Sequence, residues 1–442
     1  MPVKIERKGL FMKKKKGEKT HKLSRRDFIR TSAAAGVATF LSGSERVFAA
    51  GSDKVRVGVI GCGGRGTYDA TNCVNSSDNV EIIAMGDVFR DRLDGALENL
   101  NNNVGDKVKV TEDTCFVGFD AYKKVLECEV DMVILTTPPH FRPEHLRAAI
   151  EGGKHVFTEK PVAVDPVGVR SVIESSELAE KKKLTIVAGT QMRRIAHIVE
   201  LMKKIHNGDI GEILGGQCVR IEGGMMGWGK QPQPGWSDME LQIRRWLFYN
   251  WLGGDLIVEQ QIHNLDLINW ALDSHPVQCL GMGGRQSRTG PEYGNVYDHF
   301  AVEYEYPNGV RVEYMGGQID GCTFRNDQRL VGTKGSAYFD FGNAIIEGQN
   351  PFKYEKAVPD PCITQHADQI KAIREGRPLN EGKRVAESTL TAIMGRMSTY
   401  TGRALKWDWV MNASQLDLRP LKYEFCDLPV APVAVPGKTE LI

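Results

Sequence analysis

Apolar positions along the chain change period several times, and those changes divide it into elements. Residues 55, 57, 59 and 60 are Val, Val, Val and Ile, a β-branched run that reads as a buried strand. Similar runs at 80–85 (VEIIAM), 131–136 (DMVILT), 155–158 and 184–188 alternate with helical stretches near 90–103, 122–127, 143–151 and 166–181. Strands alternating with helices predict an α/β fold that opens with a doubly wound parallel sheet over residues 51–189. Beyond residue 190 the order changes. Candidate strands at 213–222, 277–286, 296–306, 310–318, 324–332 and 336–341 follow one another, with Pro307-Asn308-Gly309 and Thr333-Lys334-Gly335 as hairpin turns. Residues 190–414 therefore predict a mostly antiparallel open sheet carrying helices on one face, among them 254–272, 364–375 and 383–401. Its bare face is a natural surface for a homo-oligomer, although Glu303, Glu305, Arg311 and Glu313 keep it from being simply apolar. Residues 415–442 are proline-rich and read as an extended arm.

The first 50 residues stand outside this scheme. Ser24-Arg25-Arg26-Asp27-Phe28-Ile29 is a twin-arginine pattern behind the basic run 13–16, followed by a small, uncharged, apolar segment at 31–43 and a small-residue cleavage signal at Val47-Phe48-Ala49. The apolar segment is shorter than the ~20 residues that span a bilayer. The pattern predicts export by the twin-arginine route to the periplasm, with no integral span after signal removal. It also hides a charge. Residues 1–50 hold thirteen Lys/Arg and four Asp/Glu, a net of +9, so the whole-chain +1 becomes −8 for the remainder. An acidic body of that size has no electrostatic reason to bind nucleic acid or an anionic membrane. Nine scattered cysteines lack C-x-x-C pairs and zinc spacing, and read as small core residues with no metal site.

Candidate chemistry gathers where strands end. Gly61, Gly63 and Gly66 fit G-x-G-x-x-G directly after the first strand: one glycine for the tight turn, one for approach of backbone N–H groups to a pyrophosphate, one for close helix packing. The loop Gly61, Cys62, Gly63, Gly64, Arg65 and Gly66 is the expected phosphate cradle, at the N-terminus of a helix. Asp87, about 20 residues past the last glycine, stands where a carboxylate accepts from ribose hydroxyls. It favours NAD, while Arg90 and Arg92 keep NADP open. Two further strand ends reach the same edge, Thr137-Pro138-Pro139-His140 and Glu159-Lys160-Pro161, and Gln191 opens the crossover. A lysine there either assists deprotonation of a substrate hydroxyl or begins a surface loop. Trp228 and Trp236 either stack on a sugar or anchor their own loop. On the helix expected over 254–272, Glu259, His263 and Asp266 share a stripe, so that two carboxylates flank a histidine as a general base requires.

The glycine loop, the TPPH strand end, Glu159-Lys160-Pro161, Gly253-Gly254 and Glu259…His263-Asn264-Leu265-Asp266 together resemble the glucose-fructose oxidoreductase, inositol dehydrogenase and rhizopine catabolism family, Gfo/Idh/MocA. The resemblance implies a Rossmann domain joined to an α/β domain, association through the open sheet as a dimer or tetramer, and NAD(P)-dependent chemistry on sugar or cyclitol hydroxyls. It places the catalytic lysine at Lys160 and the catalytic histidine at His263. The acid one turn earlier is commonly aspartate in that family and is Glu259 here. Arg193, Trp228 and Asp266 are the substrate-side expectations. Export implies a tightly bound cofactor, regenerated on site either by a second substrate or by a glycosidase cycle that oxidises and re-reduces one sugar. A non-catalytic carbohydrate-binding protein on the same fold is the third possibility.

Overall fold

Six parallel strands form the first sheet, in the order Cys115–Val117, Val80–Asp87, Val55–Ile60, Met132–Leu135, His155–Thr158 and Ile186–Ala188. The structure, a computed structural model, describes residues 53–224 and 232–442; the twin-arginine segment and Trp228 lie outside the described residues. Successive strands run outward on both sides of Val55–Ile60, so the order reverses there. A crevice opens beyond the carboxyl ends of Val55–Ile60 and Met132–Leu135, where ligands of such sheets bind. The edge strand Cys115–Val117 was not expected, because three residues between polar turns carry almost no period-two signal.

The second sheet has nine strands. Ile213–Glu222 pairs in parallel with Arg311–Gln318, and every other pairing is antiparallel. The hairpin turns at 307–309 and 333–335 connect strands as expected, and Ala344–Gly348, Phe352–Lys353 and Leu405–Lys406 extend the sheet beyond the expected set. Helices Ile262–Leu272 and Gly382–Thr401 pack on one face. Leu280, Met282 and Met315 are exposed on the strands. Met282 stands opposite Ala301 and Ala301 opposite Met315, one row away from Leu280, Glu303 and Glu313, so apolar and acidic positions alternate.

One expected helix is broken. The segment over 254–272 divides into Leu256–Glu259 and Ile262–Leu272. Arg220 bonds to the interruption on both sides: its Nη1 donates to the Gln260 carbonyl (2.7 Å), and the Gln261 side-chain Nε2 donates to the Arg220 carbonyl (3.1 Å). The terminal helices run Pro361–Arg374 and Gly382–Thr401, the second closed by Gly402 at φ +70°. Residues 415–442 contain no helix or strand and lie along the body, held where Leu418 N–H donates to Asp165 (2.9 Å) and Met239 N–H to the Cys426 carbonyl (3.1 Å).

Candidate active site

The loop after Val55–Ile60 is shaped by two glycines. Gly61 has φ +97°, and a Cβ there would lie 2.6 Å from the Thr137 nitrogen. A Cβ on Gly66 would meet the Gly61 carbonyl oxygen at 2.0 Å, so the helix Gly64–Asn75 packs on the turn only without a side chain. Gly63 and Gly64 differ, since added Cβ atoms would meet nothing within 4 Å. Their open side, together with a helix N-terminus that no side chain caps, fits a dinucleotide pyrophosphate in shape and in dipole.

Asp87 ends its strand beside this loop. Its Oδ2 accepts from Cys62 N–H (2.6 Å) and its Oδ1 from Phe89 N–H (2.9 Å). Burial raises the carboxyl against the pull of those two donors. Cys62 contributes backbone only: its thiol is buried, lies 3.5 Å from the Gly86 carbonyl, and is pushed well up by burial. Arg65 lies 3.8 Å from Glu159 and 3.7 Å from Asp69. Glu159 Oε2 accepts from Lys160 N–H (3.0 Å), and only a glycine at 189 leaves room for its carboxylate.

Lys160 follows the strand His155–Thr158. Its Nζ donates to the Glu259 carbonyl at 2.7 Å and to Glu259 Oε1 at 2.9 Å. His263 begins the helix Ile262–Leu272 and is 7% exposed, with Nδ1 unpartnered among the described residues. Burial, then the Lys160 and Arg220 charges, holds its imidazole well below the ordinary histidine range. A neutral imidazole with a free ring nitrogen can accept a proton at neutral pH.

A cavity of about 830 Å³ unites these groups. Its walls include Gly61, Gly63, Gly64, Arg65 and Asp87 at one end and Lys160, Glu259 and His263 at the other, with Thr137, Pro138, Glu159 and Gln191 between. Several expected residues stand elsewhere. His140 is buried behind the wall, its Nε2 2.8 Å from the Tyr423 hydroxyl and its ring edge-on to Trp251, and burial lowers its pKa to about 4. Asp266 lies one turn from His263 on the same helix and its charge favours the protonated imidazole, but its hydrogen bonds go elsewhere. It accepts from Arg193 (2.7 and 3.0 Å), Arg384 (3.2 Å) and Ser388 (2.6 Å). Burial favours its neutral form, but the two guanidiniums outweigh that and hold it well below the usual carboxylate range. Neither Arg193 nor Asp266 is among the cavity-lining residues. Sequence reasoning missed Arg220, Arg245 and Phe341, which line the cavity from a sheet strand and two loops; an arginine in a strand of the second sheet carries no motif that would single it out.

Known proteins share this architecture. The description "Oxidoreductase family, NAD-binding Rossmann fold" matches residues 55–190, the "GFO/IDH/MocA C-terminal domain" matches 198–338, and a twin-arginine translocation signal matches 22–42. The chain is 29% identical over 230 residues to a 2,7-anhydro-N-acetylneuraminate hydratase of Escherichia coli (strain K12), covering 50% of this chain and 55% of that protein, little more than half its length. It is 25% identical over 289 residues to scyllo-inositol 2-dehydrogenase (NAD(+)) of Bacillus subtilis (strain 168), covering 64% of this chain and 73% of that one. In fold it matches aldose-aldose oxidoreductase from Caulobacter crescentus with a TM-score of 0.62 at 18% identity, over 80% of this chain and 99% of the other. With both halves of its body matched, the chain belongs to the Gfo/Idh/MocA family of NAD-binding oxidoreductases.

Proposed function

We propose that the chain oxidises or reduces a hydroxyl-bearing carbon of a sugar, cyclitol or related carbohydrate, with NAD held tightly at the glycine loop. One observation carries this reading: a single cavity is lined both by that loop and by Lys160, Glu259 and His263. Bound NAD would supply the acceptor for a hydride from the carbinol carbon. His263, neutral and buried, takes the hydroxyl proton. Lys160, fixed by Glu259, donates to the substrate oxygen and steadies the charge that develops there. Asp87 supports NAD over NADP, since its carboxylate would repel a 2′-phosphate, and Arg90 is drawn away to Asp94 (3.5 Å) and Glu112 (3.2 Å).

The twin-arginine signal supports a periplasmic protein loaded with its nucleotide before export. Residues 51–189 would be the nucleotide domain, 190–414 the substrate and oligomerisation domain, and 415–442 the arm. No described helix is long and apolar enough to cross a membrane.

A second reading, transient oxidation followed by elimination or addition and re-reduction, is favoured by the 29%-identical hydratase, whose named reaction has no net redox change. The test is denaturing release of nucleotide from the purified protein, followed by addition of sugars and glycosides to the intact holoprotein. Stoichiometric NAD and lasting reduction by a sugar support the first reading. Glycoside cleavage without lasting reduction supports the second, and absence of nucleotide contradicts both.

A further inference from the structure

Seven Arg and Lys residues line the cavity against three Asp and Glu. That leaves an excess of four positive charges, of which the net single negative charge of NAD offsets one. Carboxylates already engage several of these cations: Lys160 has Glu259, Arg220 has Glu222 (3.2 Å), Arg65 has Glu159 and Asp69, and Arg244 has Asp91 and Glu240. Arg245 differs. It is 4% exposed, its Nη2 donates to the Glu292 carbonyl (2.8 Å), and its guanidinium lies over the Phe248 ring at 5.1 Å. Its Nε has no partner, and no carboxylate lies within ion-pair distance of it among the described residues.

A buried guanidinium without a counter-ion is unfavourable unless a ligand supplies one. Arg245 lines the same cavity as Lys160, Glu259 and His263, and Leu247, two residues on, lines both that cavity and a small recess that Glu259 and Gln260 share. A guanidinium fork matches the two oxygens of a planar carboxylate.

From these observations we propose that the substrate is an acidic sugar, bearing a carboxylate, and that Arg245 is the residue that selects it. The proposal rests on the carbohydrate reading above and narrows it. A neutral sugar would leave the Arg245 charge uncompensated, so discrimination should lie in binding.

The test is calorimetric titration of the holoprotein with matched pairs, D-glucuronate against D-glucose and D-galacturonate against D-galactose, with nucleotide content measured separately. In at least one pair the acid should bind about tenfold more tightly or better. Arg245→Met should abolish that advantage while retaining bound nucleotide, and Arg245→Lys should keep part of it. Should Arg245→Met fail to fold, the wild-type ratio and the lysine variant carry the test. The proposal is overturned by equal or tighter binding of the neutral sugar in both pairs, by no measurable binding of either acid, by an advantage that survives in Arg245→Met, or by tighter binding of glucose 6-phosphate than of glucuronate. Loss of the broader reading looks different: a protein without nucleotide could still prefer the acids.

Discussion

Glu259 holds Lys160 by two acceptors at once, its main-chain carbonyl at 2.7 Å and its carboxylate at 2.9 Å from Nζ. The side chains are 8% and 12% exposed, so the pair is largely desolvated. Removing one partner of such a pair leaves a buried charge, and Glu259→Gln is expected to reduce unfolding free energy by about 3–5 kcal/mol. Lys160→Met should act similarly and also slow turnover by about 10²–10⁴. The double variant should recover part of the stability loss in denaturant titrations. Simple additivity of the two losses would show that the pair is not coupled.

Gly63 and Gly66 separate ligand space from packing space. Gly66→Ala drives a methyl into the Gly61 carbonyl, and a loss of about 1–3 kcal/mol is expected along with weaker nucleotide binding. Gly63→Ala meets no protein atom, so stability should change by less than about 0.5 kcal/mol. Its methyl would occupy the open side of the loop, and nucleotide affinity should fall about tenfold or more. Thermal unfolding and nucleotide titration of both variants check the contrast. Unchanged affinity in Gly63→Ala would remove the loop from the binding site.

His366 is buried against Phe157, ring centroids 4.2 Å apart, with neither ring nitrogen partnered among the described residues. Burial pushes its pKa down to about 3. Between roughly pH 6.5 and that value the unfolded chain binds a proton here and the folded chain does not. Stability from this group is therefore complete above about pH 6.5 and declines as pH falls through that window, by up to about 1.4 kcal/mol per pH unit. His366→Leu should flatten the acid side of the stability curve by about one proton and be close to neutral at pH 8. Denaturant titrations from pH 8 to pH 4 measure this, and an unaltered slope would refute the assignment.

The open sheet face offers a test of assembly. Exposed Met282 and Met315 flank Ala301 across three neighbouring strands, and Leu280 lies two residues away on the first. Changing Met282 and Met315 together to Arg and Glu should shift sedimentation toward the monomer while leaving bound nucleotide in place. A monomeric wild type, or an assembly indifferent to the change, would contradict oligomerisation through this sheet.

Local signals carried most of the fold and part of the site. The glycine loop, Asp87 and Lys160 were legible because each sits where a strand ends, and strand ends are marked by β-branched runs breaking into Gly or Pro. His263 was legible as a residue but not in its surroundings. The helix breaks at Gln260 and Gln261, where Arg220, forty residues away, bonds to both, so Glu259 stands on a separate short helix from His263 and Asp266. Asp266 serves instead to join Arg193 and Arg384, a long-range cluster with no periodic signature. His140 met the same limit, since its partner Tyr423 lies in the carboxyl-terminal arm.

The account stands most directly on the nicotinamide absorbance of the purified holoprotein when acidic and neutral sugars are added, measured in parallel for wild type and His263→Ala across pH. The prediction is a substrate-dependent change in the wild type, with an acid limb below the ordinary histidine range, slowed about a hundredfold or more in His263→Ala although its nucleotide stays bound. Equal rates in the two proteins, or a wild type that carries no nucleotide, would contradict it.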